Sequence, residues 1–175
     1  MGKVLVIAYS YTGTSRQLSR VMCAQQNWAL GEVGDAIVRS GARGTWRCLL
    51  DSWLRRRPPI HYVGPDPRDF DAVVLVAPIW AYRLAGPMRS FVAARHEDLP
   101  PCAVVSVMGS RGAANAVAEI ARLSGRSPLL SAAFFAREVE DGSCAARLRA
   151  FGQAVSAAVI DREPARPAVW SPKAA

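Results

Sequence analysis

Short runs of apolar residues recur along the chain and alternate with segments whose apolar residues are three or four positions apart. The runs at residues 3–8, 72–77 and 102–108 are rich in β-branched residues and predict buried strands. A further strand is predicted at residues 128–135. The second strand has the weakest pattern and is placed within residues 33–39. The hydrophobic pattern therefore predicts five strands.

The segments between these runs have the periodicity of amphipathic helices. In the first of them, Leu18, Val21, Met22, Gln25 and Ala29 fall on one face. Four more helices are predicted. One covers residues 45–54, with Trp46, Leu49, Leu50, Trp53 and Leu54 on one face, and the next starts at Pro87 and carries Met88, Phe91 and Val92. The other two are a helix with Ala116, Val117, Ile120 and Leu123 and a last helix, capped by Ser143, with Leu148, Phe151, Val155 and Val159 inward. This alternation predicts an α/β fold, a doubly wound parallel sheet with right-handed crossovers and helices on both faces.

The loop after the first strand combines one glycine with five hydroxyl-bearing residues. Its members are Ser10, Tyr11, Thr12, Gly13, Thr14 and Ser15. The N-terminus of the helix that follows offers unpaired N–H groups and a partial positive charge, so this loop suits a phosphate. The Gly-Lys-Ser/Thr ending of a P-loop and the G-x-G-x-x-G dinucleotide fingerprint are both absent, which favours a terminal monophosphate. The alternative is an ordinary strand-to-helix turn capped by a hydroxyl.

A second candidate loop carries aromatic residues. It follows the strand at residues 72–77, contains Pro78, Ile79, Trp80, Ala81 and Tyr82, and runs on to residues 86–87, Gly-Pro. Open α/β sheets bind ligands at the carboxyl ends of their parallel strands, so Trp80 and Tyr82 are candidates for contact with a ligand. The alternative is that Trp80 only packs beneath the loop.

A third loop follows the strand at residues 102–108. It consists of Gly109, Ser110, Arg111 and Gly112, and a helix is predicted to begin near Ala113. Its glycines allow the backbone to approach a ring system closely. Any strand-to-helix turn can be rich in glycine, however, so the support comes from the position of this loop after the appropriate strand.

These three loops together resemble the FMN sites of the flavodoxin-like family. The phosphate loop of that family is close to S/T-x-T-G-x-T, and residues 10–14 fit this pattern; the P-x-W element at Pro78–Trp80 and the later Gly-Pro are similar to its second flavin loop. The resemblance covers about residues 3–160. It implies the strand order 2-1-3-4-5, FMN as the cofactor, and the residues of the three loops as its binding site. Redox chemistry would then be carried by FMN, without a catalytic side chain.

Composition agrees with one domain. The chain has 175 residues, 51% of them hydrophobic, which predicts one compact domain at residues 1–160 and a loosely held tail with three prolines at residues 161–175. No run approaches the roughly 20 apolar residues of a membrane span, and no signal peptide is visible. Four widely spaced cysteines, Cys23, Cys48, Cys102 and Cys144, are expected to be reduced thiols without a metal. These features predict a cytoplasmic protein.

Charge separates this chain from flavodoxins that act as electron carriers, which are usually acidic. The net charge is +8, and residues 39–57 contain six arginines against one aspartate. Such a segment could bind nucleic acid, an anionic membrane, an acidic protein or NADPH. The alternative, which we favour here, is a solvated helix face with ordinary i, i+4 pairs, without a nucleic-acid partner. Trp46 and Trp53 are expected in the core, although a dimer interface stays open.

The resemblance leaves three functions open. The first, which we favour slightly, is an FMN-dependent oxidoreductase that passes hydride or electrons from NAD(P)H to a quinone or similar acceptor. The second is a non-catalytic electron carrier between partner proteins. The third is a flavin-free binding module on the same fold.

Overall fold

The structure, a computed structural model, describes residues 2–36 and 54–161. Its strands are β1 (Val4–Tyr9), β2 (Ala29–Asp35), β3 (Ile60–Val63), β4 (Ala72–Trp80), β5 (Arg83–Leu84), β6 (Cys102–Met108) and β7 (Ser131–Phe135). Its helices are α1 (Thr14–Gln26), α2 (Gly86–Arg95), α3 (Ala113–Ser124), α4 (Ala136–Glu140) and α5 (Ala145–Ile160), and a short 3₁₀ helix covers Pro67–Asp69.

The strands form one sheet in the order β3-β2-β1-β4-β6-β7, with β5 paired to β4. The five strands β2, β1, β4, β6 and β7 are parallel. The predicted α/β fold and its strand order are therefore confirmed for these five. Two antiparallel strands are added to them, β3 at the sheet edge and the short β5 beside β4.

Alternation along the strands divides the core into two layers. On β1, Leu5, Ile7 and Tyr9 face one cluster of buried residues, which the helices α2 and α3 cover. The intervening residues of β1 face the other cluster, covered by α1, α4 and α5. All six residues of β1 are buried, as expected for a strand in the middle of a doubly wound sheet.

Several predicted boundaries were wrong for physical reasons. β2 begins at Ala29, four residues before the predicted range, because a left-handed Asn27 ends α1 and turns the chain back onto β1. Ala29 therefore lies in a strand, and Val21, 37% exposed, is not on the buried face. The fifth parallel strand is shorter than predicted and begins at Ser131. Ser143 does not cap the last helix: Cys144 holds that position, and no side chain caps it.

Some predictions fall outside the described residues. These are most of the helix at residues 45–54, including Trp46 and Trp53, and nearly all of the tail at residues 161–175. Leu54, the last residue of that predicted helix, lies in a turn.

The described cysteines are buried or partly buried free thiols. Burial raises the pKa of the Cys102 thiol to about 12 and that of Cys23 to about 11. Burial also raises the pKa of Cys144. All three therefore stay protonated and unreactive near neutral pH; Cys48 lies outside the described residues.

Within the described ranges, no group of three His, Cys, Asp or Glu side chains could hold a metal. In those ranges, too, no helix combines the length and the apolar character needed to cross a membrane.

A buried ion pair joins the two helices of one layer. Arg89 on α2 and Glu119 on α3 are 1% and 8% exposed, and Arg89 Nε donates to Glu119 Oε1 at 2.6 Å. Two further N–H groups of Arg89 donate to the carbonyls of Leu84, at 2.9 Å, and of Arg56, at 3.1 Å. This single guanidinium therefore ties β5, residue 56 and two helices together.

Removing the carboxylate of this pair should be costly. Glu119→Ala removes a carboxylate that pairs with the buried Arg89 guanidinium, so we expect a loss of about 3 kcal/mol in the free energy of unfolding. Glu32→Ala is the control, because its ion pair with Arg16 is solvent-exposed and should be worth less than about 1 kcal/mol. Urea unfolding measures both; equal losses in the two variants would contradict the expectation.

Candidate functional site

The first loop joins β1 to α1 through a left-handed glycine. Gly13 is the N-cap of α1 with φ of +100°, a conformation that favours glycine. Its N–H donates to Ser10 Oγ at 3.1 Å, and its carbonyl accepts from the N–H of Gln17 at 2.9 Å. Ser10 therefore shapes the loop from within, and the Gly13 carbonyl begins the helical ladder.

Two threonine hydroxyls converge at the start of α1. Thr12 Oγ1 and Thr14 Oγ1 are 3.4 Å apart. The helix N-terminus beside them has no side-chain cap and no acidic residue in its first turn. Ser15 differs from these residues because it is buried, 2% exposed. The donors gathered here, two hydroxyls and the N–H groups of an uncapped first turn, match an anionic group such as a phosphate monoester.

The second predicted loop is a β-hairpin. β4 continues through Pro78 and Ile79 to Trp80, where the sequence analysis placed a loop, and Trp80 pairs with Arg83 across the turn. The turn residues Ala81 and Tyr82 have φ of +47° and +62°. Turns of this kind normally carry Asn or Gly, so the local sequence gave no signal for a hairpin. Side chains larger than glycine in this conformation are typical of strained functional loops.

Trp80 lies against two tyrosines of the first strand and loop. Its ring meets Tyr9 at 5.9 Å and Tyr11 at 5.8 Å between centroids, both nearly perpendicular. Tyr82, at the turn, is 59% exposed. Packing therefore accounts for part of the role of Trp80, as the alternative prediction held, and it fixes the second loop beside the first. The exposed aromatic ring is that of Tyr82.

The third loop lies against the hairpin. A Cβ atom built on Gly112, whose φ is +112°, would lie 2.7 Å from the Cα of Tyr82 and 2.8 Å from Cγ2 of Ile79. Asn115 Nδ2 also donates to the Tyr82 carbonyl at 3.0 Å. Gly109, Ser110 and Arg111 are exposed. All three predicted loops thus meet at the carboxyl edge of β1, β4 and β6.

A cavity of about 590 Å³ adjoins the first loop on the side of β2. Tyr9, Ser10, Arg16, Asp35 and His61 are among its lining residues. The Tyr9 hydroxyl donates to Asp35 Oδ2 at 2.8 Å, while its ring contacts Trp80, so Tyr9 connects this cavity to the hairpin.

Sequence reasoning missed several residues at this edge. Tyr9 lies between the predicted strand at residues 3–8 and the predicted loop, and the sequence gives no signal for Asp35, Arg89 or Asn115. The only signal for Tyr9 was a polar-tipped aromatic residue at the end of a buried strand. The roles of Arg89 and Asn115 depend on contacts between segments far apart in sequence.

No family model matches the chain, and no curated protein matches it significantly. Solved structures do. A flavoprotein from Lactobacillus acidophilus in complex with FMN is 18% identical, with a TM-score of 0.66 over 82% of this chain and 99% of that one. A WrbA-like flavodoxin from Agrobacterium tumefaciens is 12% identical, with a TM-score of 0.57 over 92% and 99%. A flavodoxin from Streptococcus pneumoniae is 15% identical, with a TM-score of 0.55 over 88% and 97%. At these identities the likeness concerns the fold, which is flavodoxin-like.

The contact between the third loop and the hairpin can be tested at one glycine. Gly112→Ala should lower the free energy of unfolding by about 2 kcal/mol, because alanine is strained at this positive φ and its Cβ would meet the backbone of Tyr82. Gly109→Ala is the matched control: its Cβ would have no neighbour within 4 Å. Chemical denaturation compares the variants, and two equal effects would show that the close approach is unimportant.

Proposed function

We propose that this chain binds FMN across the three loops and acts as a redox protein. One observation carries the proposal: an uncapped helix N-terminus with two converging hydroxyls lies beside an aromatic hairpin, at one edge of a flavodoxin-like sheet. This edge includes the boundary between β1 and β4, where the strand order reverses and doubly wound sheets bind their ligands. The FMN complex of a structural neighbour supports the choice of ligand.

The phosphate of FMN would be held without a lysine. Thr12 and Thr14 would donate their hydroxyls, and the first turn of α1, including the N–H of Ser15, would donate backbone hydrogen bonds. Ser10 would act indirectly, because its Oγ already accepts from the Gly13 N–H. The absence of acidic residues from this first turn suits a doubly charged group.

The ring system would lie between the second and third loops. Tyr82 would flank one face, and Trp80, fixed by Tyr9 and Tyr11, would support the loop from beneath. Pro78, Ile79 and Ala81 complete the proposed hairpin wall, and Gly109, Ser110, Arg111 and Gly112 the opposite one. Bound FMN would supply hydride or one-electron chemistry, which the protein positions and tunes.

The third loop has no aromatic residue to cover the second face of the ring. A nicotinamide or a quinone would have room to stack there, which favours an oxidoreductase that uses NAD(P)H to reduce a quinone or similar acceptor. An electron carrier between partner proteins is the second candidate, since this fold serves both functions. A flavin-free binding module is the third.

FMN binding can be tested together with the role of the hydroxyls. We expect the protein to be yellow, or to perturb the spectrum of added FMN, and to bind riboflavin, which lacks the phosphate, more weakly. Thr12→Val with Thr14→Val should weaken FMN binding by about tenfold per hydroxyl and leave riboflavin binding unchanged. Fluorescence titration measures all four affinities.

The same titrations can refute the proposal. Equal affinity of the wild type for FMN and riboflavin would show that the first loop does not bind the phosphate of FMN. A protein that perturbs the spectrum of neither flavin would leave only the binding module.

Steady-state kinetics separates the two redox functions. For an oxidoreductase we expect FMN-dependent oxidation of NADH or NADPH with a quinone as acceptor. If the flavin-loaded protein shows no turnover with either nucleotide but its flavin can still be reduced photochemically, the carrier function is the correct one.

A further inference from the structure

Four arginines on segments at or beside the hairpin have no partner among the described residues, and we infer that they form a docking surface for an acidic protein. The four are Arg55, Arg57, Arg83 and Arg111, called here the basic rim. Arg83 is half-buried and the other three are exposed. Among the described residues, none of their guanidinium groups has an ion-pair or hydrogen-bond partner.

Among the other described arginines, Arg20, Arg122 and Arg149 also have no partner for their guanidinium groups, but they lie on helices away from the hairpin turn, whereas four others are neutralised. Arg16, Arg68, Arg89 and Arg147 each pair with a carboxylate. Glu119 on α3 is buried and paired with Arg89, which also donates to the Leu84 carbonyl of the hairpin. The positive charge of the basic rim is therefore not neutralised by a described residue.

Four contacts bring together the chain segments that carry the four arginines, although these segments are distant in sequence. Arg89 donates to the carbonyls of both Leu84 and Arg56, so the segments carrying Arg83 and residues 55–57 lie on either side of one guanidinium. Ser90 Oγ fixes the same segment through the Pro58 carbonyl at 2.7 Å. The backbone at Gly112 closely approaches that of Tyr82, where an added Cβ would lie 2.7 Å from the Tyr82 Cα, so the neighbouring Arg111 lies beside the hairpin turn.

The composition of this surface favours a protein over a small anion. A single phosphate is held by one or two guanidinium groups, whereas these four lie on three chain segments around an exposed tyrosine. Among the residues that the structure describes, Tyr82 and Leu54, 59% and 46% exposed, are two of five exposed large hydrophobic residues. Arginine and tyrosine are enriched where proteins dock, and complementary charge steers the encounter. The partner should therefore present carboxylates around an apolar centre.

The surface borders the proposed flavin site, so an acidic protein docked there would be placed to exchange electrons with it. That redox role rests on the proposed function, but the docking does not. The two can fail separately, because docking is measured on the full-length protein with and without FMN.

The test uses a fluorescein-labelled, glutamate-rich peptide with a central leucine as the probe. Fluorescence anisotropy should show binding that weakens as salt is added. Arg55→Glu with Arg57→Glu should weaken it by about tenfold at low salt, and Arg111→Glu should weaken it independently. Arg20→Glu with Arg149→Glu is the control, since these exposed arginines lie on α1 and α5 and change the net charge equally.

Three outcomes would overturn the inference. Equal losses in the rim and control variants would mean that only net charge matters. No loss in the rim variants would place the binding elsewhere. A single-stranded oligonucleotide or NADPH that binds the wild type more tightly than the peptide, and loses affinity in the same rim variants, would identify a different ligand. Hydrogen exchange gives a second readout: the peptide should protect the backbone at residues 54–57, 82–83 and 111.

Discussion

The parallel pairing of β1 with β4 is the constraint on which the candidate site depends. β1 lies between β2 and β4, so the chain first adds β2 on one side of β1 and later adds β4 on its other side. The loops that follow β1 and β4 therefore begin side by side at the carboxyl edge of the sheet. The register Val4↔Ala72 to Ala8↔Val76 sets how far each strand reaches, and Tyr11 consequently meets Trp80.

Around that pairing, the site is assembled from short-range contacts of different kinds. A hydrogen bond from the Gly13 N–H to Ser10 Oγ holds the first loop, and aromatic contacts of Trp80 hold the hairpin. The third loop packs against the hairpin at Gly112, where there is no room for a Cβ atom. Arg89 then joins the hairpin to the segment at residues 56–58 through a buried, multiply bonded guanidinium. In this arrangement Tyr82 is exposed, whereas Tyr9 and Arg89, which hold the hairpin in place, are buried.

Much of the site could be predicted because its components are local in sequence. The loop at residues 10–15 is contiguous, and hydroxyls followed by a helix start are visible without knowledge of the fold. The hairpin could not be predicted in the same way, since Ala81 and Tyr82 are poor formers of left-handed turns and adopt that conformation only because Ile79 and Trp80 pair with Leu84 and Arg83. The basic rim was visible only in part: residues 55–57 stood out as a run, whereas Arg83 and Arg111 joined them only in space.

The sequence by itself determined the α/β class, the buried strands β1, β4 and β6, and the residues that each of the three loops carries, because hydrophobic period and turn composition act over a few residues. Tertiary structure alone decided the two antiparallel strands, the burial of Ser15, the packing of Trp80 between tyrosines and the ion pair of Arg89 with Glu119. Apart from β5, which pairs with β4 across a two-residue turn, each of these depends on residues that are distant along the chain, and their free energies arise only once the sheet has brought them into contact.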